Sequence, residues 1–536
     1  MNFNKTLIGA ILGLVSDLWA FADWPMQGHD PAQTNCQTEG LGGMDSAPYL
    51  KWSWTHPFGA RCGHQPIVGD IDGDGKGEIL VLFNETGMWD PPQDTFLYCF
   101  NGENGLIKWK YKLTSGKEES FQPQGPVLAD LDGDGLKEII FTRWFSPRLV
   151  AMNGEDMSIL WASSKRPEFV FPIDVEGDGQ PEIMVQSLDS LHLLEGSTGN
   201  PRWGRALPGP SLDNRVSAGD MDGDGDEDIV FTDIDGGPPY IYIYDGPSGT
   251  LLISQRLWEI ASSEVNYSPI VLADLDGDGA LEAVLNTSTT DFPGRSTVRA
   301  FKWNTVSDSI ILLWATEGNI GDYVNPTTTA VGDLDGDGAL EIAVGWPDGL
   351  SVVVLNGRTG SVIGHGSGSR GIIGPVDEDP NLDLLNLCPD LYYWELGCID
   401  RIDPWVEKWC YWYHGVLIRH FSLADVDGDG INEIVLGGER IMVLERDSTT
   451  NLKENTGLPE PVPRIRYSAS GDFLYLPQNS VEAVMEIYDV MGYLRWKAGV
   501  HEELTPIPSL PGGTYMIFVK TQEKRHSLLY VRTKRS

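Results

Sequence analysis

The chain has 536 residues and a formal charge of −40, with 41% hydrophobic and 10% aromatic residues. A chain this acidic lacks the basic surface that phosphate backbones demand, so nucleic acid and anionic membranes are excluded as partners. Its apolar and aromatic content can fill a core, which excludes an acidic disordered chain.

The first element is a secretory signal over residues 1–22: Lys5, the apolar run Leu7 to Val15, then Ala20-Phe21-Ala22 before a mature start at Asp23. The run falls short of the roughly 20 apolar residues a bilayer span requires, and no other stretch approaches that length. No membrane span is therefore expected after cleavage, and the chain is expected to be secreted or held at the outer cell surface. The six cysteines are Cys36, Cys62, Cys99, Cys388, Cys398 and Cys410, with no C-x-x-C pair among them. In an exported chain an even count permits disulfides; Cys36–Cys62 and Cys388–Cys398 are the expected pairs.

Tyr49-Leu50-Lys51-Trp52-Ser53-Trp54 reads as a lone strand, and beyond it the chain becomes repetitive. Asp-x-Asp-Gly-Asp-Gly-x-x-Glu begins at Asp70, Asp130, Asp274, Asp333 and Asp425. Variants begin at Asp174, with Glu176 third, and at Asp220, with Asp228 last. A decayed eighth copy begins at Pro375 and keeps Asp377, Asp379, Asn381 and Asp383. Successive starts lie 42 to 60 residues apart, the length of one four-stranded unit.

Apolar, β-branched runs flank each loop, such as Pro66-Ile67-Val68-Gly69 before the first and Glu78-Ile79-Leu80-Val81 after it. A hairpin follows, turning on Asn-Gly or Asp-Gly, often with a Trp on the returning strand, as in Asn101-Gly102 with Trp109 and Glu195-Gly196 with Trp203. Strand, loop, strand, strand, turn, strand is the plan of a propeller blade. The last repeat ends at Ile441-Met442-Val443-Leu444-Glu445 without a fourth strand, so the strand near Tyr49 is expected to complete it and close the ring. The count is eight blades if Pro375 marks a blade and seven if it marks an insertion; eight is the expected number.

The loops carry the chemistry. The candidate ligands are Asp70, Asp72, Asp74 and Glu78; Asp130, Asp132, Asp134 and Glu138; Asp174, Glu176, Asp178 and Glu182; and Asp220, Asp222, Asp224 and Asp228. The series continues with Asp274, Asp276, Asp278 and Glu282; Asp333, Asp335, Asp337 and Glu341; and Asp425, Asp427, Asp429 and Glu433. Four carboxylates on one turn repel one another without a cation. Calcium, a hard ion taking about six to eight oxygens, suits them better than magnesium, which keeps its waters. Gly at the sixth position, Gly75 through Gly430, allows the wrapping turn. An EF-hand would place Glu at position 12, where Val81, Phe141, Val185, Phe231, Leu285, Val344 and Leu436 stand instead, so EF-hands and dockerins are excluded. About seven calcium ions would bring the charge from −40 to about −26, so the acidity is partly internal.

A ligand site on the propeller would use residues preceding the inner strands: His64, Gln65, Gln122, Gln124, Asn214, Arg215, Asn266, Tyr267, Tyr323, Asn325, Arg419 and His420. The decayed repeat adds aromatics able to stack on sugars or to fill a core: Tyr392, Tyr393, Trp394, Trp405, Trp409, Tyr411, Trp412 and Tyr413. No catalytic residue and no organic cofactor can be assigned. After Glu445, residues 446–463 read as a polar, Pro-containing linker, and 464–536 as a small β-unit containing Ile487-Tyr488-Asp489 and Leu510-Pro511-Gly512-Gly513-Thr514-Tyr515.

The repeats over about residues 60 to 445 resemble the FG-GAP and VCBS repeat families, whose calcium-binding blades also build integrin α-subunit heads. The opening Asp23-Trp24-Pro25-Met26-Gln27-Gly28-His29-Asp30 and the Gly-x-x-x-Trp hairpins also look like quinoprotein-type propellers. That family's adjacent-cysteine disulfide is absent, however, and quinone binding is not implied. The C-terminal motifs resemble the type IX secretion sorting domain, a β-sandwich, which implies a partner in that machinery and export across an outer membrane. Together these resemblances imply an all-β chain with a propeller at 23–445. Its expected role is a non-enzymatic, calcium-binding adhesion protein for a glycan or protein ligand. The alternatives are a polysaccharide lyase of the rhamnogalacturonan lyase type and a structural scaffold.

Overall fold

The computed structural model describes residues 23–446 apart from short stretches between strands, the longest being 85–94 and 114–124, together with the strands of 464–532. The chain divides into two compact units that part between Ser448 and Thr449. Every element named in either unit is a β-strand.

The first unit is an eight-bladed β-propeller. Blades 1 to 7 occupy residues 67–112, 127–163, 169–206, 217–256, 264–319, 329–367 and 370–414, each an antiparallel sheet of strands in sequence order. Blade 5 differs only in that its first strand is split into Glu264–Asn266 and Val271–Ala273. The decayed repeat at Pro375 is thus a true blade. Blade 8 takes three strands from 418–445 and its fourth from the N-terminus: Tyr49–Thr55 pairs with Arg440–Glu445. Closing the ring this way pairs the edges that an open array would leave bare.

First strands of neighbouring blades touch one another, as those of blades 1 and 2, 5 and 6, and 6 and 7 do, so they form the inner wall. Second and third strands supply the core; Ile79 to Phe83 are all buried. Tryptophans on fourth strands lock blade to blade. Trp161, Trp203 and Trp314 donate indole N–H bonds of 2.6, 2.8 and 2.7 Å to the carbonyls of Gly196, Gly246 and Gly357 in the next blade. The rings also lie over the left-handed glycines Gly199, Gly249 and Gly360, where an added Cβ would stand 2.4–2.6 Å from indole carbons. Trp52 of blade 8 binds Gly102 of blade 1 in the same way, at 2.6 Å. Blade 8 has no hairpin between its last two strands, because the fourth arrives from the N-terminus. Trp409 of blade 7 therefore donates to Met44, just ahead of that strand, at 2.6 Å.

The described residues between Trp24 and Gln37 run along the inner wall. Trp24 bridges Val68 of blade 1, Leu128 of blade 2 donates to Pro25, Val331 of blade 6 to Thr34, and Cys36 bridges Ile373 of blade 7. Gln37, fully buried, donates to Leu423 of blade 8 at 3.3 Å. All five wall residues stand two places before their loops, so this segment lies at the loop end of the inner strands.

Two expectations are corrected. Cys36 and Cys62 do not pair: one bridges blade 7, the other bridges Phe83 of blade 1, and both are free buried thiols. Cys398 is likewise free and buried, which removes the Cys388–Cys398 bond. Burial raises the Cys36 and Cys62 thiols to about 12, so they pack as small apolar groups.

The second unit contains two antiparallel sheets. Arg464–Arg466, Phe473–Tyr475 and Leu504–Pro506 make one; Ala483–Asp489, Leu494–Val500, Gly513–Lys520 and Arg525–Arg532 make the other. Asp489 of the first C-terminal motif faces Tyr515 of the second across paired strands.

Candidate metal centres

Each loop joins the first and second strands of its blade, and its carboxylates are committed to loop amides before any ion is considered. The position-1 Asp accepts the N–H of the position-6 Gly at 2.7–3.1 Å in all seven full copies. The position-5 carboxylate accepts the N–H of position 7 at 2.8–3.2 Å in all eight loops. The position-9 carboxylate opens the second strand, is buried, and accepts the N–H of position 2 at 2.7–3.3 Å in all eight. The two loop glycines, Gly133 and Gly135 in blade 2, adopt φ of +78° and +88°, a conformation that side chains resist.

This folding gathers oxygens of positions 1, 3 and 9. Asp70, Asp72 and Glu78; Asp130, Asp132 and Glu138; Asp220, Asp222 and Asp228; Asp274, Asp276 and Glu282; and Asp333, Asp335 and Glu341 each bring three ligand atoms within 4.8 Å of one another. Several Asp/Glu clusters can therefore coordinate a divalent metal ion. Position 5 stands slightly apart from these triplets, although Asp278 shares a cation with positions 3 and 9 in blade 5. The fit to an ion is supported by buried oxygens that no hydrogen bond satisfies, Asp72 Oδ1 and Asp276 Oδ1.

The electrostatics agree. Burial, added to by neighbouring carboxylates, pushes Glu138 up to about 7, Asp228 to about 8 and Glu341 to about 7. Burial raises Glu78 to about 7 even though Lys108 pulls it down. Glu182 and Glu282 also rise through burial, against the pull of Arg202 and Lys302.

The cations were not anticipated from the sequence. Lys108 pairs with Asp72 and with Glu78 (2.9 Å), Arg202 with Glu182 and with Glu176 (2.5 Å), and Lys51 with Asp427 (2.5 Å). Lys302 reaches Asp276, Asp278 and Glu282 at 2.6, 2.7 and 3.1 Å, and Lys408 pairs with Asp377 in the decayed loop. The available signal was a basic residue directly before the fourth-strand Trp: Lys51-Trp52, Lys108-Trp109, Arg202-Trp203 and Lys408-Trp409.

Of the residues expected to fringe the channel, Gln122, Gln124, Asn214, Arg215, Tyr267, Tyr323 and Asn325 lie outside the described residues, as do the side chains of Asn266 and Arg419. His64 and His420 are half-buried, and Gln65 is spent on a 2.8 Å bond to the Phe421 carbonyl. Among the blade 7 aromatics, Trp409 is core and Tyr411 half-buried; Tyr392 and the side chains of Tyr393, Trp394, Trp405, Trp412 and Tyr413 fall outside the described residues.

An FG-GAP-like repeat family model matches residues 70–141, 174–231 and 220–285, the stretches from one loop to the next in blades 1 to 5. The chain thus carries an FG-GAP-like, repeat-containing β-propeller domain. Among solved structures, BamB from Moraxella catarrhalis is 13% identical, over 74% of this chain and 100% of its own, with a TM-score of 0.37. The V. cholerae biofilm matrix protein Bap1 is 16% identical, over 91% and 84%, with a TM-score of 0.35. No curated protein matches the chain. Among the described residues, no helix is long and apolar enough to cross a membrane.

Proposed function

We propose that the protein is a secreted or surface-held binding propeller that uses calcium to set its loops and adheres to a glycan or protein without catalysing a reaction. One observation carries this reading. Apart from four buried thiols, the described titratable groups displaced furthest from their ordinary values, among them Glu78, Glu138, Asp228 and Glu341, all belong to the loops or pair with them. An enzyme concentrates such groups around one cleft; here they are spread over the ring, one set per blade, where they fix turns. Calcium is the ion that an all-oxygen set in a glycine-hinged loop favours. The ligands would be the carboxylates of positions 1, 3, 5 and 9 in the seven full loops.

Ligand binding is assigned to the end of the channel opposite the loops, since the described residues between Trp24 and Gln37 already bond the loop end of the wall. The C-terminal unit is read as a type IX sorting β-sandwich on the strength of Asp489 and Tyr515, residues of separate motifs that face each other on neighbouring strands. Glycan-array and immobilised-protein binding by the calcium-loaded chain test the reading. Saturable binding supports it; ultraviolet-absorbing unsaturated uronate released from pectic polysaccharide would overturn it in favour of a lyase.

A further inference from the structure

The fourth strand of every blade carries a β-bulge at one equivalent place, directly before the Trp position. A bulge turns one extra side chain out of the strand's regular alternation. In blades 1, 3, 7 and 8 the bulged residue is Lys108, Arg202, Lys408 or Lys51, and each lies ion-paired with its own blade's loop carboxylates. In blades 2, 4 and 6 it is Leu160, Leu252 or Ile363, which pack on the core. Blade 5 has Leu313 at the bulge, but Lys302 of its third strand reaches three carboxylates. Among the described residues, no Lys or Arg is paired with the clustered carboxylates of blades 2, 4 and 6.

We infer that an internal cation, carried at the bulge in blades 1, 3 and 8 and on the third strand in blade 5, sorts the loops into two kinds: those of blades 2, 4 and 6 are obligate, tight calcium sites, while those of blades 1, 3, 5 and 8 carry a cation that calcium must displace. This rests on the reading of the loops as calcium sites. The physical reason is competition for the same oxygens. A lysine ammonium or arginine guanidinium already pairs with one loop carboxylate in blade 8, two in blades 1 and 3 and three in blade 5, and repels an incoming divalent ion at close range. Blade 7 is the end state, where the leading carboxylate is lost and Lys408 remains on Asp377. Calcium should therefore load in two stages, and the internally neutralised blades should hold their loops when calcium is low.

The test is equilibrium dialysis of the intact secreted chain against stepped free calcium, with bound metal counted by elemental analysis. The expected result is about three ions bound first, and further ions only at concentrations at least about tenfold higher. Lys108→Leu should add one ion to the tight class, and the reciprocal Leu160→Lys should remove one, with circular dichroism checking that each remains folded. A single class of about seven equal sites, unmoved by either substitution, would overturn the inference and leave calcium binding intact. No bound ion in any variant would instead defeat the reading on which it rests.

Discussion

The loops of blades 2 and 7 share one bond, from the position-2 amide to the position-9 carboxylate, but reach it by different means: Gly133 and Gly135 are left-handed in blade 2, whereas Glu378 stands where Gly133 does and is not. In blade 2, Asp130, Asp132 and Glu138 converge and Leu160 packs on the core, so among the described residues no Lys or Arg neutralises the cluster. In blade 7 a proline replaces the leading Asp, yet Asp383 still accepts the Val376 amide at 3.2 Å, and Lys408 sits on Asp377. The buried position-9 carboxylate and its amide bond therefore anchor the loop in both blades, while the neutralising charge can come from an ion or from a side chain. Blades of the first kind should depend on solution calcium and those of the second should not.

The largest expected effect is that of chelation. Losing several ions, each contributing about 4 kcal/mol at a thousandfold excess over Kd, should lower Tm by on the order of 10 °C. Hydrogen exchange should show the loss at the amides of Gly133 and Gly135 in blade 2 and spare those of blade 7. Equal loss in both would break the comparison.

Next comes the coupling between blades. Trp161→Ala should cost about 3–5 kcal/mol in denaturant unfolding, since a buried indole and its bond to Gly196 are both lost. A smaller local effect is expected of Asp130→Ala, which strips the Gly133 and Gly135 amides of their acceptor and should cost roughly 1–3 kcal/mol. In blade 7, Asp377→Ala should leave Tm in calcium and in chelator equally displaced.

In chelator, pH should sharpen the contrast. Glu138, Asp228 and Glu341 titrate higher folded than unfolded, so their protonated forms stabilise the metal-free fold at acid pH. That contribution is lost as pH rises through about 7 to 8, so the metal-free chain should melt lower at pH 8 than at pH 5, and calcium should reverse the trend. The smallest change is Met157→Gly. Met157 holds φ +61° where other hairpins have Gly105, Gly199 and Gly249, and relieving it should raise stability by roughly 0.5–1 kcal/mol.

Much of this was legible in the sequence because each blade repeats the same signals: the glycine-hinged acidic loop, the buried strand after it and the hairpin Trp. The lone strand near Tyr49 was recognisable as the missing partner of Arg440–Glu445. The course of the described residues between Trp24 and Gln37 was not legible, because the segment bonds the wall through isolated bridges and carries no strand periodicity. The cysteine pairing failed since sequence proximity says nothing about which blade a thiol faces. The cations of Lys51, Lys108, Arg202 and Lys408 were visible as residue types, but their direction depends on a bulge that only the strand register exposes.

The measurement that bears most directly on all of this is the metal content of the full chain purified without chelator. Bound calcium at about three or more ions per chain is expected. A folded, monodisperse protein with no bound divalent metal would contradict it, since the loops of blades 2, 4 and 6 would then hold their carboxylates together with nothing to neutralise them.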